Sequence, residues 1–241
     1  MNLTALALAA APYAGPTGLS GVAQAGAELA LGATSGSSAV KVFILITALS
    51  FASALVLSLT SFTRIIIVLS FLRQALGTPQ LPPNPVLMGL TLFLTIFIMA
   101  PTAARIERDA LGPYLDDKIS ATDALERGQG PLREWMLRQT HEQDIQLFFE
   151  ISGQARPNRG QELPMAVVIP AFMVSELDTA FRMGLFIFIP MLLIDVLVAA
   201  VLMSLGMMMV PPQMISLPLK IGVFLLAGGW HLVVSSVVRS F

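Results

Sequence analysis

Leu185 to Leu205 and Leu217 to Val238 are two long apolar stretches joined by Gly206-Met207-Met208-Met209-Val210-Pro211-Pro212. Each stretch is close to the ~20 residues needed to cross a hydrocarbon core of roughly 30 Å. The joining turn holds three adjacent methionines between a glycine and two prolines, so the pattern predicts a helical hairpin with a methionine tip. Methionine is unbranched and polarizable, so a cluster presses against neighbours, yields and closes again. Copies of this turn meeting around an axis would form a deformable apolar plug; the plainer reading is apolar filling at a membrane turn.

The rest of the chain agrees with a membrane setting. Of 241 residues, 55% are hydrophobic and 12% are charged, against roughly 25% charged in an ordinary soluble domain. Residues 101–164 hold 8 of the 14 Lys and Arg and 11 of the 15 Asp and Glu. One acidic polar domain therefore interrupts an apolar chain. A formal net charge of -1 offers no basic surface for nucleic acid. With no cysteine, disulfides, thiolate metal sites and cysteine nucleophiles are excluded.

Upstream, residues 1–39 are rich in Ala, Gly, Ser and Thr, with Glu28 the one charged side chain. Leu3 to Ala11 and Ala23-Gln24-Ala25 fit the apolar core and cleavage site of a secretory signal, but the basic n-region is missing. A cleaved signal and an uncleaved leader both stay open. Val40 to Thr60 is a first membrane-length segment. An arginine-bracketed apolar run from Arg64 to Arg73 follows, its ends placed to snorkel to an interface. Val86 to Ala100 is a second, short segment, ended by Pro101.

In the polar domain, Ser120 with Asp123 reads as a capping box for a short helix closed by Gly128. Pro131 opens another helix, with Leu132, Trp135, Met136 and Gln139 on one face and Glu134 to Arg138 as an i,i+4 pair. Ser175-Glu176-Leu177-Asp178 repeats the capping pattern before the third apolar segment, and Asp178 to Arg182 is a second i,i+4 pair. Pro190 predicts a kink within that segment, and Gly228-Gly229 close packing or a bend in the fourth.

These features predict an all-α membrane protein of about four hydrophobic helical segments forming kinked hairpins. One polar helical extracytoplasmic domain is inserted between the second and third. The divisions fall at 1–39 (leader), 40–100 (first hydrophobic hairpin), 101–184 (polar periplasmic domain) and 185–241 (second hairpin with the methionine turn). Arg64 and Arg73 in a loop without acids place residues 61–85 on the cytoplasmic side. The charged domain is then outside and the methionine turn back toward the cytoplasm.

Asp195 lies in the middle of the third segment, where a lone carboxylate is costly and marks a partner or a pathway. In a hairpin turning near Pro211, Ala227 is level with Asp195, which favours His231 as its partner over Lys220. A proton relay and a packing contact are both readings of Asp195 with His231, and contacts between subunits remain open for either. Lys220 reads as a snorkelling interface residue. The chain contains no His-Glu-x-x-His, Gly-x-Ser-x-Gly or P-loop pattern, so catalysis is the poorest reading and no cofactor is expected.

Thr60-Ser61-Phe62-Thr63-Arg64-Ile65-Ile66-Ile67-Val68-Leu69-Ser70-Phe71-Leu72-Arg73-Gln74-Ala75-Leu76-Gly77-Thr78 and Pro82-Pro83-Asn84 closely resemble the FliP family of flagellar export-gate proteins. The likeness continues through Pro131-Leu132-Arg133-Glu134, Met136 to Thr140, Ser175-Glu176-Leu177, Ile189-Pro190, Ile194-Asp195 and the turn from Gly206 to Pro212. It covers most of residues 42–241, with Glu142 to Leu163 matching weakly and the basic n-region of the family's signal missing.

The resemblance implies a non-enzymatic subunit of the type III export gate in the bacterial inner membrane, at the flagellar basal body, passing unfolded flagellar subunits. It implies a homo-oligomer, expected as a pentamer, with FliQ and FliR and in contact with FlhB and FlhA. Met207, Met208 and Met209 take the role of a pore gasket, with Gly206, Pro190, Pro211 and Pro212 as turn and hinge. Arg64, Arg73, Glu176, Asp178 and Arg182 are candidate assembly residues, and Asp195, His231 and Lys220 intramembrane or subunit contacts. The family's nested, kinked hairpins also imply that apolar segments pack on other subunits instead of each crossing lipid. An injectisome export-gate homologue and an ion-coupled transporter or stator using Asp195 and His231 are the competing readings.

Overall fold

The computed structural model describes residues 40–47, 50, 57–153, 163–207 and 209–241. The leader and Met208 lie outside these residues. The chain forms two units, 1–55 and 56–241. In the first, residues 40–47 are helical and expose Phe43, Ile44 and Leu45. The rest of the expected first membrane segment, up to Leu55, lies largely outside the described residues.

In the second unit every regular element among the described residues is helical: α1 (Phe62–Ala75), α2 (Asn84–Ile106), a π-turn (Glu107–Leu111), α3 (Gly112–Leu115), α4 (Ala121–Gln139), α5 (Glu142–Ser152), α6 (Met165–Ser204), α7 (Gln213–Leu226) and α8 (Gly229–Arg239). Two stretches are long and apolar enough to span a membrane, Asn84–Leu115 with mean hydropathy 2.1 and Met165–Ser204 with mean hydropathy 2.8. A third exists if α7 and α8, bent by 64° at their junction, count as one broken span.

The run from Arg64 to Arg73 is not an interfacial stretch. It is the core of the unit, because Arg64, Ile65, Val68, Leu69, Leu72 and Ala75 recur at three- and four-residue steps and bury one continuous face. α1 packs chiefly on α6. At their crossing, a Cβ on Gly184 would lie 2.6 Å from the Phe71 ring, so the helix backbone approaches the aromatic as only glycine allows. Phe71 in turn meets Phe181 edge-on with centroids 5.2 Å apart.

Helix limits depart from the sequence reading at Pro101, Gly128 and Pro131. α2 passes through Pro101 instead of ending there. Pro101 faces outward while Thr102 beside it is 1% exposed, so packing on the inner face holds the turn despite the missing donor. α4 likewise passes through Gly128, Gly130 and Pro131 as one helix. Gly128 approaches the π-turn, where its Cβ would lie 3.6 Å from that of Ala110; it permits contact and does not end the helix. The capping box at Ser120 and Asp123 is formed as expected.

α6 is the largest departure. Residues 165–184, read with the polar domain, and 185–204, read as a separate span, are one 40-residue helix that runs through Pro170 and Pro190. At 1.5 Å per residue its length is about 60 Å. Ser175-Glu176-Leu177-Asp178 therefore sits in mid-helix and caps nothing. The first half carries two apolar clusters: Trp135 and Met136 of α4 against Val168 and Phe172, and Ile145 and Phe149 of α5 against Val167 and Ala171. Each large side chain fully buried in this way contributes roughly 1.5–3 kcal/mol.

Candidate functional site

Three constellations hold the residues singled out above. The first is the inner end of α1. Arg64 Nε donates to Glu176 Oε2 at 2.9 Å and its Nη2 pairs with Oε1 of the same carboxylate. Nη1 donates to the main-chain oxygen and hydroxyl of Ser240 at 2.8 and 3.1 Å, and Nη2 reaches Gln139 Oε1 at 3.3 Å. The guanidinium also lies over the Phe241 ring, 4.0 Å from its centroid. Arg64 is 2% exposed and Glu176 is fully buried.

A guanidinium is planar and presents five donors in a fixed fork, so it can satisfy a carboxylate bidentately and still bond on its outer edge. Here that geometry ties α1, α4, α6 and residues 240–241 together. Arg64 thus does not snorkel, and its charge is neutralised inside the protein, which removes it from the loop count that oriented the chain. Ser240 and Phe241 gave no sequence signal. Gln139 did, as the polar member of the buried α4 face, and it also donates to the Phe241 main-chain oxygen at 2.9 Å.

A smaller polar knot lies beside it. The Ser175 hydroxyl donates to Asp144 Oδ2 and accepts from the His141 main-chain N–H at 2.9 Å, fixing the start of α5 on α6. The other candidate assembly residues sit at the surface. Arg73 donates to Asn84 Oδ1 at 2.5 Å across the turn between α1 and α2. Asp178 and Arg182 form the expected i,i+4 pair at 2.8 Å, half exposed. Glu134 is 2.7 Å from Arg105 and 3.9 Å from Arg138, so its closer partner is on α2.

The second constellation corrects the partner of Asp195. Lys220 Nζ, not His231, meets Asp195 Oδ2, at 2.5 Å, and it donates also to the Ala75 carbonyl at 3.1 Å. Lys220 is 6% exposed and so does not snorkel. The sequence reading centred the turn near Pro211, but the arms end at Ser204 and resume at Gln213. Asp195 is nine residues before the first limit and Lys220 seven after the second, which brings them level. His231 lies on α8, beyond the 64° bend, with its side chain exposed.

That bend has a local cause. Gly228 adopts φ +63° and serves both as the residue ending α7 and as the one opening α8. The Gly229 position is closed to any side chain, since a Cβ there would lie 2.2 Å from the Phe224 ring. Trp230 meets the same ring edge-on at 5.7 Å. A groove of about 490 Å³ runs between α6 and this bend, lined by Met183, Ile187, Pro190, Phe224 and Val233.

The third constellation is the methionine tip. α6 ends with Gly206 at φ +73°, the Gly206 N–H on the Met203 carbonyl at 3.1 Å and the Met207 N–H on the Leu202 carbonyl at 3.0 Å. This paired closure is a Schellman motif, which fixes the direction in which Met207 leaves the helix. Pro211 and Pro212 open α7, whose first free N–H groups return to their carbonyls. Met207 is 44% exposed and Met209 98%. Among the described residues no group of three or more His, Cys, Asp and Glu is arranged to hold a metal.

Comparison with known proteins places the chain in a family. Residues 45–237 match the model of the FliP family. The flagellar biosynthetic protein FliP of Bacillus subtilis is 49% identical over 205 residues, covering 85% of this chain and 93% of that protein. The protein of the same name from Pectobacterium carotovorum is 52% identical over 210 residues, covering 87% and 81%. That of Caulobacter vibrioides is 45% identical and covers 99% of this chain and 88% of its own. With this extent of match along the helices just described, the chain belongs to the FliP family.

Proposed function

We propose that the protein is a pore-forming core subunit of the flagellar type III export gate and passes unfolded flagellar subunits across the inner membrane at the basal body. Copies of the chain surround the path as a homo-oligomer, a pentamer, with FliQ and FliR, and FlhB and FlhA adjoin it. Met207, Met208 and Met209 form the gasket, and Gly206, Pro190, Pro211 and Pro212 shape and hinge the arm that carries it. The polar domain of α3 to α5 lies on the periplasmic side.

The observation that carries this reading is Met209, 98% exposed at the tip of an apolar hairpin. A large apolar side chain so placed gains burial only from other copies or from lipid. Its flexibility suits a seal that must part for a polypeptide and close again. The relatives named above are flagellar proteins, which favours the flagellar gate over an injectisome counterpart. The ion-coupled reading loses its geometric support, since Asp195 is engaged by Lys220.

The test is ion permeability of membranes holding the assembled complex. Replacing Met207, Met208 and Met209 together by Ala should raise leakage while the complex is still recovered intact. Assembled complexes with unchanged leakage would remove the gasket.

A further inference from the structure

The end of α1 leaves the Ala75 carbonyl without a main-chain partner. Gly77, at φ +75°, closes the helix with its N–H on the Gln74 carbonyl at 3.0 Å, and the Thr78 N–H returns to the Arg73 carbonyl at 3.3 Å. This Schellman closure satisfies Gln74 and Arg73. The left-handed turn at Gly77 carries the chain out of the helix, so the Ala75 carbonyl receives no main-chain donor. Ala75 is 2% exposed, and an unpaired buried carbonyl is costly.

Lys220 fills that vacancy from a different helix. Its ammonium donates to the Ala75 carbonyl and is neutralised by Asp195, so one buried group joins the end of α1 to both arms of the hairpin. On the tip side of this junction the arms flank an apolar groove of about 420 Å³, lined by Leu197, Val201, Leu205, Met207, Ile215 and Leu219. The nine residues from Asp195 to Ser204 make that side about 14 Å long. A loosely filled lever thus extends from a fixed junction.

We propose that Lys220 is a positioning residue for the methionine tip: it caps α1 at the Ala75 carbonyl, which the turn at Gly77 leaves open, and thereby sets the angle of the two arms beyond it. The link to sealing rests on the gasket reading above; the cap itself does not. The ion pair alone would hold α6 to α7, whereas the cap also ties α7 to α1, the core helix.

The chain has no cysteine, so Met203→Cys with Met214→Cys, both exposed and on opposite arms, gives a unique pair of spin-label sites. In the purified full-length chain, Lys220→Met should broaden the interarm distance distribution by about twofold, as expected when a local restraint is lost. Asp195→Leu with Lys220→Met removes both charges, avoids an unpaired carboxylate, and should broaden it as much because Ala75 stays uncapped. Asp195→Asn, which removes the charge pair but keeps the Lys220 donor for the Ala75 carbonyl, should leave the distribution near the parental one. A double variant with the parental distribution, or an Asp195→Asn variant as broad as the double variant, would overturn the cap. Ion leakage of assembled complexes is read separately. Broadening without leakage keeps the cap and removes the seal, whereas an unchanged distribution removes the cap whatever the leakage.

Discussion

The two halves of α6 are both rich in apolar residues and have opposite surroundings. From Met165 to Ala180 the helix is enclosed: Val168, Ala171, Phe172, Ser175, Glu176 and Ala180 are fully buried, and α4 and α5 cover it. From Phe181 to Ser204 it is bare on most sides, with Phe186 79%, Leu193 57% and Leu197 65% exposed. The enclosed half includes a serine and a glutamate, and the bare half is almost wholly apolar. Large apolar side chains left facing outward mark the second half as one whose further burial must come from outside the chain, from lipid or other subunits.

The comparison breaks most severely at Glu176. Its replacement by Ala leaves Arg64 buried without its carboxylate, a loss of about 3–5 kcal/mol. Little folded protein should be recovered, as judged by detergent-stable monodisperse material. Arg64→Met with Glu176→Leu should recover much of the loss, because removing both charges leaves no ion uncompensated. If the double variant is no better than Glu176→Ala, the cost lies in the contacts with Ser240, Gln139 and Phe241 and not in the unpaired charge.

The next effect belongs to the junction of the halves. Gly184→Ala places a methyl against Phe71, whose nearest ring carbon would be 2.6 Å away. Such overpacking costs about 1–3 kcal/mol. Phe71→Leu in the same chain should relieve part of it, measured as a rise in thermal midpoint over Gly184→Ala alone. A Gly184→Ala protein as stable as the parent would mean that the two helices separate easily, and the enclosed half would then be less rigid than its burial implies.

Substitution in the bare half should leave the single chain nearly unchanged and act on association. Phe186→Ala removes a ring that touches little within the chain, so its effect on the isolated protein should stay within about 0.5 kcal/mol. Recovery of the oligomer should fall, since an aromatic buried between subunits contributes far more than an exposed one. Equal losses in both measurements would place the ring in the chain's own core.

How much of this contrast is legible from the amino acids follows from which interactions are local. The capping box at Ser120 and the Asp178 to Arg182 pair are set within a few residues, and the structure has them where the pattern puts them. Pro101, Pro131 and Gly128 mislead because packing on distant helices outweighs local propensity, which amounts to about 1 kcal/mol for Gly and 3 kcal/mol for Pro. The Arg64 to Glu176 pair spans 112 residues, and nothing near either residue encodes it. For Asp195 both candidate partners were visible in sequence. Choosing between them required the position of the turn, and an error of a few residues there shifted the apparent partner from Lys220 to His231, about three turns of helix.

The smallest effect tests the division most sharply. Asp178 and Arg182 lie at the border of the two halves, one turn apart, with 39% and 67% of their side chains exposed. An exposed i,i+4 pair in water contributes about 0.3–0.5 kcal/mol, and salt screens it. Asp178→Ala should therefore shift the unfolding midpoint of the isolated chain barely at all, and less at high salt. The same substitution has a different consequence if neighbouring subunits cover this border. Burial would strip the screening water, and Arg182 without its carboxylate would become an uncompensated charge in an interface. Oligomer recovery should then fall well beyond the change in monomer stability, and Asp178→Ala with Arg182→Ala should restore part of it. If neither measurement changes, the pair is a solvated surface contact, and the border between the enclosed and bare halves of α6 lies outside the subunit interface.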